Sequence, residues 1–384
     1  MIEAKEFVEA ARELGFNRYT GVPCSFLTPF INYVINDDTL EYVSSANEGD
    51  ALATAAGSAI GGQPAIVMMQ NSGLGNAISP ITSLSYVFRI PFLIITTHRG
   101  QPGVKDEPQH ELMGQITKEL FDTMKVPWEI FPKTKEEIAP ALRRANEYMK
   151  KENRPYGFIM QKGTVSSEEL KKNPVKNITD RKKEYRSSHN PEATITNRNN
   201  VLKRIVEHTP VEKTLLIATT GFTGRELFAV DDRVNHIYMV GSMGCASSLG
   251  LGVALARPDL KVVIIDGDGA GLMRMGNFAT LGSYAGNNLI HILLDNEVHD
   301  STGSQATVAG NINFAKIAEA TGYSVSLTGN EIELIDELFS LEGHGGPVFG
   351  HLKISSGTIE NLPRPDVTPN EVLTRLMNHI DTTF

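Results

Sequence analysis

IIDGDGAGLMRMGNFATLGSYAGNNLIHILLDNEVHDSTGSQ, residues 264–305, decides the fold. An apolar run, residues 262–265, enters the turn Gly267-Asp268-Gly269, and a second run, residues 289–294, ends in Asp295-Asn296. Glycines at a strand-to-helix turn let backbone N–H groups approach phosphate oxygens, and a helix N-terminus favours anions. An aspartate there would repel a diphosphate unless a hard cation bridges the two. Mg2+ suits that position because it takes oxygen ligands and keeps substrate phosphates in its shell. Asp268 and the Asn296 side-chain carbonyl are two such donors, and a backbone carbonyl just beyond Asn296 is a third.

Two other readings of the glycines compete. A dinucleotide fingerprint needs G-x-G-x-x-G and an acidic residue at the end of the next strand. Here Gly271 comes one place too early and the aspartate sits inside the turn. A tight turn without a ligand accounts for Gly267-Asp268-Gly269 taken alone. It leaves the paired Asp295-Asn296 at the next strand end without a reason.

The alternation of apolar runs and helical periods extends over the whole chain of 384 residues. Buried parallel strands are expected at residues 41–46, 65–69, 92–97 and 156–160, and again at 215–219, 236–240, 261–265, 289–294 and 348–354. Helical patterns lie between them, for example at residues 135–150, and the pattern predicts βαβ units in parallel sheets with helices on both faces. Residues 166–200 are polar without a sustained period, which reads as an interdomain connection. The expected division is a first domain at 1–170, a linker at 171–198 and a second domain at 199–384. Ligands of such sheets sit beyond the carboxyl ends of the strands, where Gly267 and Asn296 both fall.

Composition bounds the function. A net charge of −9 argues against nucleic acid as the main partner, and the basic run Arg181-Lys182-Lys183 is short and sits in polar sequence. Cys24 and Cys245 are too few and too far apart for a disulfide framework or a zinc cluster. The first residues read as an amphipathic helix with Phe7, Val8, Ala11 and Leu14 on one side, without the apolar core of a signal peptide. No apolar run reaches membrane-spanning length, so a cytoplasmic protein is expected.

These motifs resemble those of the thiamine diphosphate-dependent decarboxylases, across nearly the whole chain. The first half is similar to their pyrimidine-binding domain and the second to their diphosphate-binding domain. The middle domain of the longer members has no counterpart. Within the family, the short form resembles the phosphonopyruvate decarboxylase branch, as do GVPCSFL at 21–27, RGQPGVKDEPQH at 99–110 and DNEVHDSTGSQ at 295–305. Sulfopyruvate decarboxylases are the nearest alternative, and carboligases of 2-oxo acids a further one. The resemblance implies non-oxidative loss of CO2 from phosphonopyruvate, a step of phosphonate biosynthesis. It also implies a homo-oligomer whose site joins the first domain of one subunit to the second domain of another.

Site residues follow from the same resemblance. Asp268 and Asn296 would bind Mg2+ by side chain and Val298 by its backbone carbonyl. Gly267, Gly269, Ala270, Thr220 and Gly221 would surround the diphosphate. Gly241 would accept the aminopyrimidine amino group, and Met243 would be the apolar wedge that bends the cofactor; by composition alone that methionine is a core residue. Glu48 would bond the pyrimidine ring nitrogen. From the sequence alone, Glu48 at the start of a small-residue helix reads first as a capping residue. Its small and apolar neighbours Ser45, Ala46, Ala51 and Leu52 favour desolvation, which promotes proton sharing.

An anionic substrate needs cations. Residues 98–110 hold His98, Arg99, Lys105 and His110 beyond a strand end. Arginine suits bidentate contact with a phosphonate and lysine supplies a point charge, while a self-paired, solvated loop tip is the competing account. His110 is the candidate for proton transfer and His299 for orienting the substrate, with Ser301 and Gln305 beside it. Asn71, Gly73 and Asn76 either line the cofactor pocket or serve as turn and cap residues.

Overall fold

The computed structural model describes residues 1–172, 181–341 and 344–384, and the chain divides into two units, Met1–Val175 and Lys176–Thr383.

In the first unit six parallel strands form one sheet: β1 (Arg18–Gly21), β2 (Glu41–Ser44), β3 (Ala65–Met69), β4 (Leu93–Thr97), β5 (Trp128–Ile130) and β6 (Tyr156–Met160), in the order β2-β1-β3-β4-β6-β5. β3 and β4 are buried at every position, as strands covered on both faces must be. The first helix, Ala4–Arg12, opens on a capping box between Glu3 and Glu6 and buries Phe7, Val8 and Ala11. Phe7 meets Phe30, Phe131 and Phe158 with ring centroids 5.5, 4.7 and 6.2 Å away. Helix Glu48–Ile60 is buried at every position after Glu48, because alanine, glycine and serine let it pack closely.

The second unit carries a seven-stranded parallel sheet: β7 (Glu184–Ser188), β8 (Thr214–Ala218), β9 (His236–Tyr238), β10 (Lys261–Gly267), β11 (Leu289–Asp295), then β14 (Val325–Gly329) and β15 (Val348–Lys353). A short hairpin, β12 (Val298–His299) with β13 (Gln305–Ala306), follows β11. The sheet order is β7-β14-β15-β11-β10-β8-β9. From β8 the chain passes outward to β9 and then back across to β10. The loops after β8 and β10 therefore diverge to opposite faces and leave a crevice between them, the place where open α/β sheets bind ligands.

The polar stretch expected to be a linker holds β7. Among the described residues this edge strand pairs with β14 alone, and Arg186 bonds Glu184 and Glu337 at 2.7 and 2.6 Å on its exposed side. An edge strand of this kind needs no apolar run, which is why composition concealed it. β1 was hidden by Arg18, which is 2% exposed and ion-paired with Glu41 of β2.

Candidate active site

At the crevice of the second unit, Arg198, Thr219, Thr220, Gly221, Met243, Gly267, Asp268, Gly269, Ala270, Asn296, Val298, His299, Asp300 and Ser301 line one pocket. Most of the residues expected to hold a diphosphate and a metal thus converge. Gly241 lies in the same turn as Met243 but does not line the pocket, and Gln305 is exposed, accepting from the Thr302 hydroxyl at 2.9 Å.

The strand ends dictate the geometry. β10 ends at Gly267, which caps helix Asp268–Met273, so the N–H groups of its first turn face the crevice without intrahelical partners. A Cβ at Gly269 would lie 2.6 Å from His299 Cε1 and 2.9 Å from Met243 Cε; only glycine lets both side chains approach the turn. Gly221, which caps helix Phe222–Val230, has φ 91° and ψ −145°, a region that residues with a side chain avoid.

Asp268 is 3% exposed, and its Oδ2 accepts from the Thr307 hydroxyl at 2.5 Å. Burial raises its carboxyl above the ordinary 3.8; the Thr307 bond opposes this and the nearby Asp295 adds to it. Asn296 donates from Nδ2 to Asp300 Oδ2 at 2.6 Å, while its Oδ1 accepts from Val298 N at 3.3 Å. Asp295, the other half of the motif, is turned into the core. Its Oδ2 meets His351 Nε2 at 2.8 Å and Lys353 Nζ at 2.7 Å. Burial works against this carboxylate, but His351 and Lys353 outweigh it and hold its pKa below the ordinary value.

Beside the His299 ring and the Arg198 guanidinium, the pocket offers carboxylate, amide, hydroxyl and backbone groups. Among the described residues no group of three or more His, Cys, Asp or Glu forms a metal cluster. That set fits a hard cation that draws the rest of its shell from phosphate oxygens and water. The first turn of helix Asp268–Met273 and the bare Gly269 fit the diphosphate.

In the first unit Glu48 begins its helix but does not cap it. Asn47 is the cap, its side chain accepting from Gly49 N at 2.8 Å. The Glu48 carboxylate is left half-buried, with Oε2 accepting from Asn76 Nδ2 at 2.8 Å and Gly73 beneath it. Asn71 instead braces the loop after β4, donating to Arg99 O at 2.8 Å and Thr117 Oγ1 at 2.9 Å. His110 is 6% exposed and its Nδ1 has no hydrogen-bond partner.

The cations of that loop differ from expectation. Arg99 Nε donates to Asp106 Oδ2 at 2.8 Å and Nη2 to Oδ1 at 2.5 Å, while Nη1 reaches Ser25 Oγ at 3.2 Å. The Arg99 guanidinium is the largest cause holding the Asp106 carboxyl far below its ordinary value. The bidentate capacity read as a phosphonate clamp is thus spent within the loop, on Asp106, a pairing that differs from the self-paired tip Lys105-Asp106-Glu107 weighed from the sequence. Lys105 is exposed and makes no ion pair among the described residues.

Sequence reasoning passed over Arg198, Glu226, Asp300 and Thr307. The first lay in the polar stretch, Asp300 lay unremarked inside the 295–305 motif, and Glu226 and Thr307 gave no motif.

Residues 3–124 match the family model "Thiamine pyrophosphate enzyme, N-terminal TPP binding domain", and residues 223–351 match its C-terminal TPP binding domain. The chain is 42% identical to a phosphonopyruvate decarboxylase of Streptomyces viridochromogenes, covering 100% of this chain and 96% of that one. It is 26% identical to a sulfopyruvate decarboxylase of Methanosarcina acetivorans, covering 98% and 97%. A Rhodococcus jostii thiamine diphosphate-dependent 4-hydroxybenzoylformate decarboxylase shares the fold, with a TM-score of 0.71 at 13% identity over 92% of this chain and 99% of that one. With matched models in both units and a relative this similar along its full length, the chain belongs to the thiamine pyrophosphate enzymes, in the company of the phosphonopyruvate decarboxylases.

Proposed function

We propose that the chain decarboxylates 3-phosphonopyruvate to phosphonoacetaldehyde and CO2, using thiamine diphosphate and Mg2+. The observation that carries this reading is the 42% identity to the Streptomyces viridochromogenes phosphonopyruvate decarboxylase along the full chain. Thiamine diphosphate, when bound, supplies a carbon nucleophile for the 2-oxo group and an electron sink for the pair released with CO2.

The chain's own residues bind, orient and move protons. Asp268, Asn296 and the Val298 carbonyl would hold the Mg2+. The backbone at Gly267, Gly269, Ala270, Thr220 and Gly221 would hold the diphosphate. Met243, pressed against Gly269, would support the cofactor from its apolar side, with the Gly241 carbonyl accepting the aminopyrimidine amino group. Glu48, oriented by Asn76, would share its proton with the pyrimidine nitrogen. His110, with its buried and unpartnered Nδ1, suits proton delivery to the departing product. His299 and Ser301 line the pocket rim and would orient the substrate. Lys105, exposed and without an ion pair among the described residues, would meet the phosphonate; Arg99 would serve only after releasing Asp106, and Gln305 only after its hairpin turns inward. A homo-oligomer in which Glu48 of one protomer serves the Asp268 pocket of another completes the reading.

A panel of phosphonopyruvate, sulfopyruvate and pyruvate with aldehyde detection tests it. Fastest turnover of phosphonopyruvate is expected. Equal or faster turnover of sulfopyruvate would shift the substrate to the second reading, which the full-length Methanosarcina acetivorans relative favours. Full activity in both Glu48→Gln and Asp268→Ala would overturn the chemistry itself.

A further inference from the structure

A hydrogen-bonded chain of charges that the reaction does not consume runs from the pocket wall to the buried Glu226. Arg198 opens helix Arg198–Glu207 and is 6% exposed. Its Nη1 donates to Glu226 Oε1 at 2.9 Å and to Gly357 O at 3.0 Å, and its Nη2 donates to Asp300 Oδ2 at 2.8 Å. The same Asp300 oxygen accepts from Asn296 Nδ2 at 2.6 Å and from Gly357 N at 3.1 Å. The Asp300 side chain is 5% exposed and that of Glu226 1%.

Resting on the metal-site reading above, we infer that Arg198 and Asp300 are positioning residues for the metal ligand Asn296. Three observations converge. An amide rotated by half a turn presents nitrogen where a cation needs oxygen, and only its hydrogen-bond partners decide which atom faces the metal. Asp300 can only accept, so it fixes Nδ2 on itself and leaves Oδ1 for the cation. Asp300 is in turn held by Arg198, whose second arm is anchored on Glu226. Arg198 lines the pocket, yet its bonds to two carboxylates and a carbonyl occupy it. It serves the wall of the site rather than a phosphate. The arrangement also explains why the ligand is an amide and not a carboxylate: an acid at this position would set two carboxylates 2.6 Å apart.

The test compares Mg2+ affinity, read by Mn2+ electron spin resonance with Mg2+ competition, alongside thiamine diphosphate affinity at saturating Mg2+. The proteins are the full-length wild type, Asp268→Ala, Asn296→Asp, Asp300→Asn and the double variant Asn296→Asp/Asp300→Asn. Loss of an outer partner of a metal ligand costs about 10–100-fold in affinity. Asn296→Asp and Asp300→Asn are each expected to weaken the metal by that factor, with cofactor affinity at saturating Mg2+ near wild type. The double variant restores an amide donor opposite a carboxylate acceptor and is expected to recover at least about tenfold of the loss. Arg198→Lys, which keeps the charge but not the fork, should lie between. Mg2+ affinity unchanged in Asp300→Asn, or no recovery in a folded double variant, overturns the inference while loss in Asp268→Ala upholds the metal site. Unchanged affinity in Asp268→Ala overturns the metal site itself.

Discussion

Gly73 lies directly beneath the carboxylate of Glu48: a Cβ added at Gly73 would sit 2.6 Å from Glu48 Oε1 and 2.5 Å from its Cγ. The glycine backbone there has φ −66°, open to any residue, so the constraint is steric, and Glu48 supplies its nearest atoms. Gly73→Ala is therefore expected to swing the carboxylate off the Asn76 amide. Removal of a positioned proton donor costs about 100-fold or more in rate. Steady-state kinetics should show kcat falling by roughly that factor, with thiamine diphosphate affinity nearly kept. Wild-type kcat in Gly73→Ala would remove Glu48 from the mechanism as drawn.

Gly269 makes the matching point in the second unit. Its missing side chain admits His299 and Met243 to the same spot, at 2.6 and 2.9 Å from where a Cβ would stand. Both are ends of side chains, so Gly269→Ala should fold with the two groups pushed into the cofactor's space. Overpacking of this kind costs about 1–3 kcal/mol, roughly 5- to 150-fold in Kd for thiamine diphosphate. Calorimetric titration checks it, and an unchanged Kd would place the diphosphate away from this turn.

Why some of this was legible and some not is physical. β10 and β11 are continuous apolar runs because helices cover both faces, and the turn after each lines the pocket, so motif and strand announced one another. Glu48 and Asn296 were recognisable by position in a motif. Their pairings were not. Asn76, read only as a pocket-lining or turn residue, bonds Glu48 from 28 residues away, and Arg198 reaches Asp300 across 102. Only the fold brings such distant partners together, and a buried ion pair carries no periodicity. Arg99 was legible as a cation but not as an occupied one, since Asp106 acts through loop geometry that residue types do not specify.

Acid should weaken the second unit through His236. The ring is fully buried, and burial pulls its pKa from 6.5 down to about 4. Between those values the unfolded chain takes a proton that the folded chain refuses. The contribution of this group is thus complete above pH 6.5 and is lost as pH falls towards 4. At about 1.36 kcal/mol per unit, the loss at pH 5 is roughly 2 kcal/mol. Urea unfolding at pH 7 and pH 5 should show that difference in the wild type and a smaller one in His236→Gln. Equal losses in both proteins would assign the acid sensitivity elsewhere.

The last expectation concerns Lys353, whose ammonium joins Asp295 at 2.7 Å and Glu297 at 2.5 Å just behind the turn proposed to hold the metal. Lys353→Met strands the Asp295 carboxylate with His351 as its remaining ring partner. Breaking a fully buried pair costs about 3–5 kcal/mol; with the Lys353 side chain 30% exposed, solvent screening reduces this to about 2 kcal/mol. Because Asp295 already raises the Asp268 carboxyl, a less compensated Asp295 raises it further. Protons then compete with Mg2+ at Asp268 from a higher pH downwards. Mg2+ titrations at pH 8 and pH 6 should therefore diverge more in Lys353→Met than in the wild type. Adding Asp295→Asn removes the stranded charge, and should recover both the stability and the wild-type pH dependence. A double variant as unstable as Lys353→Met would trace the loss to packing of the lysine stem instead of to the charge it balances.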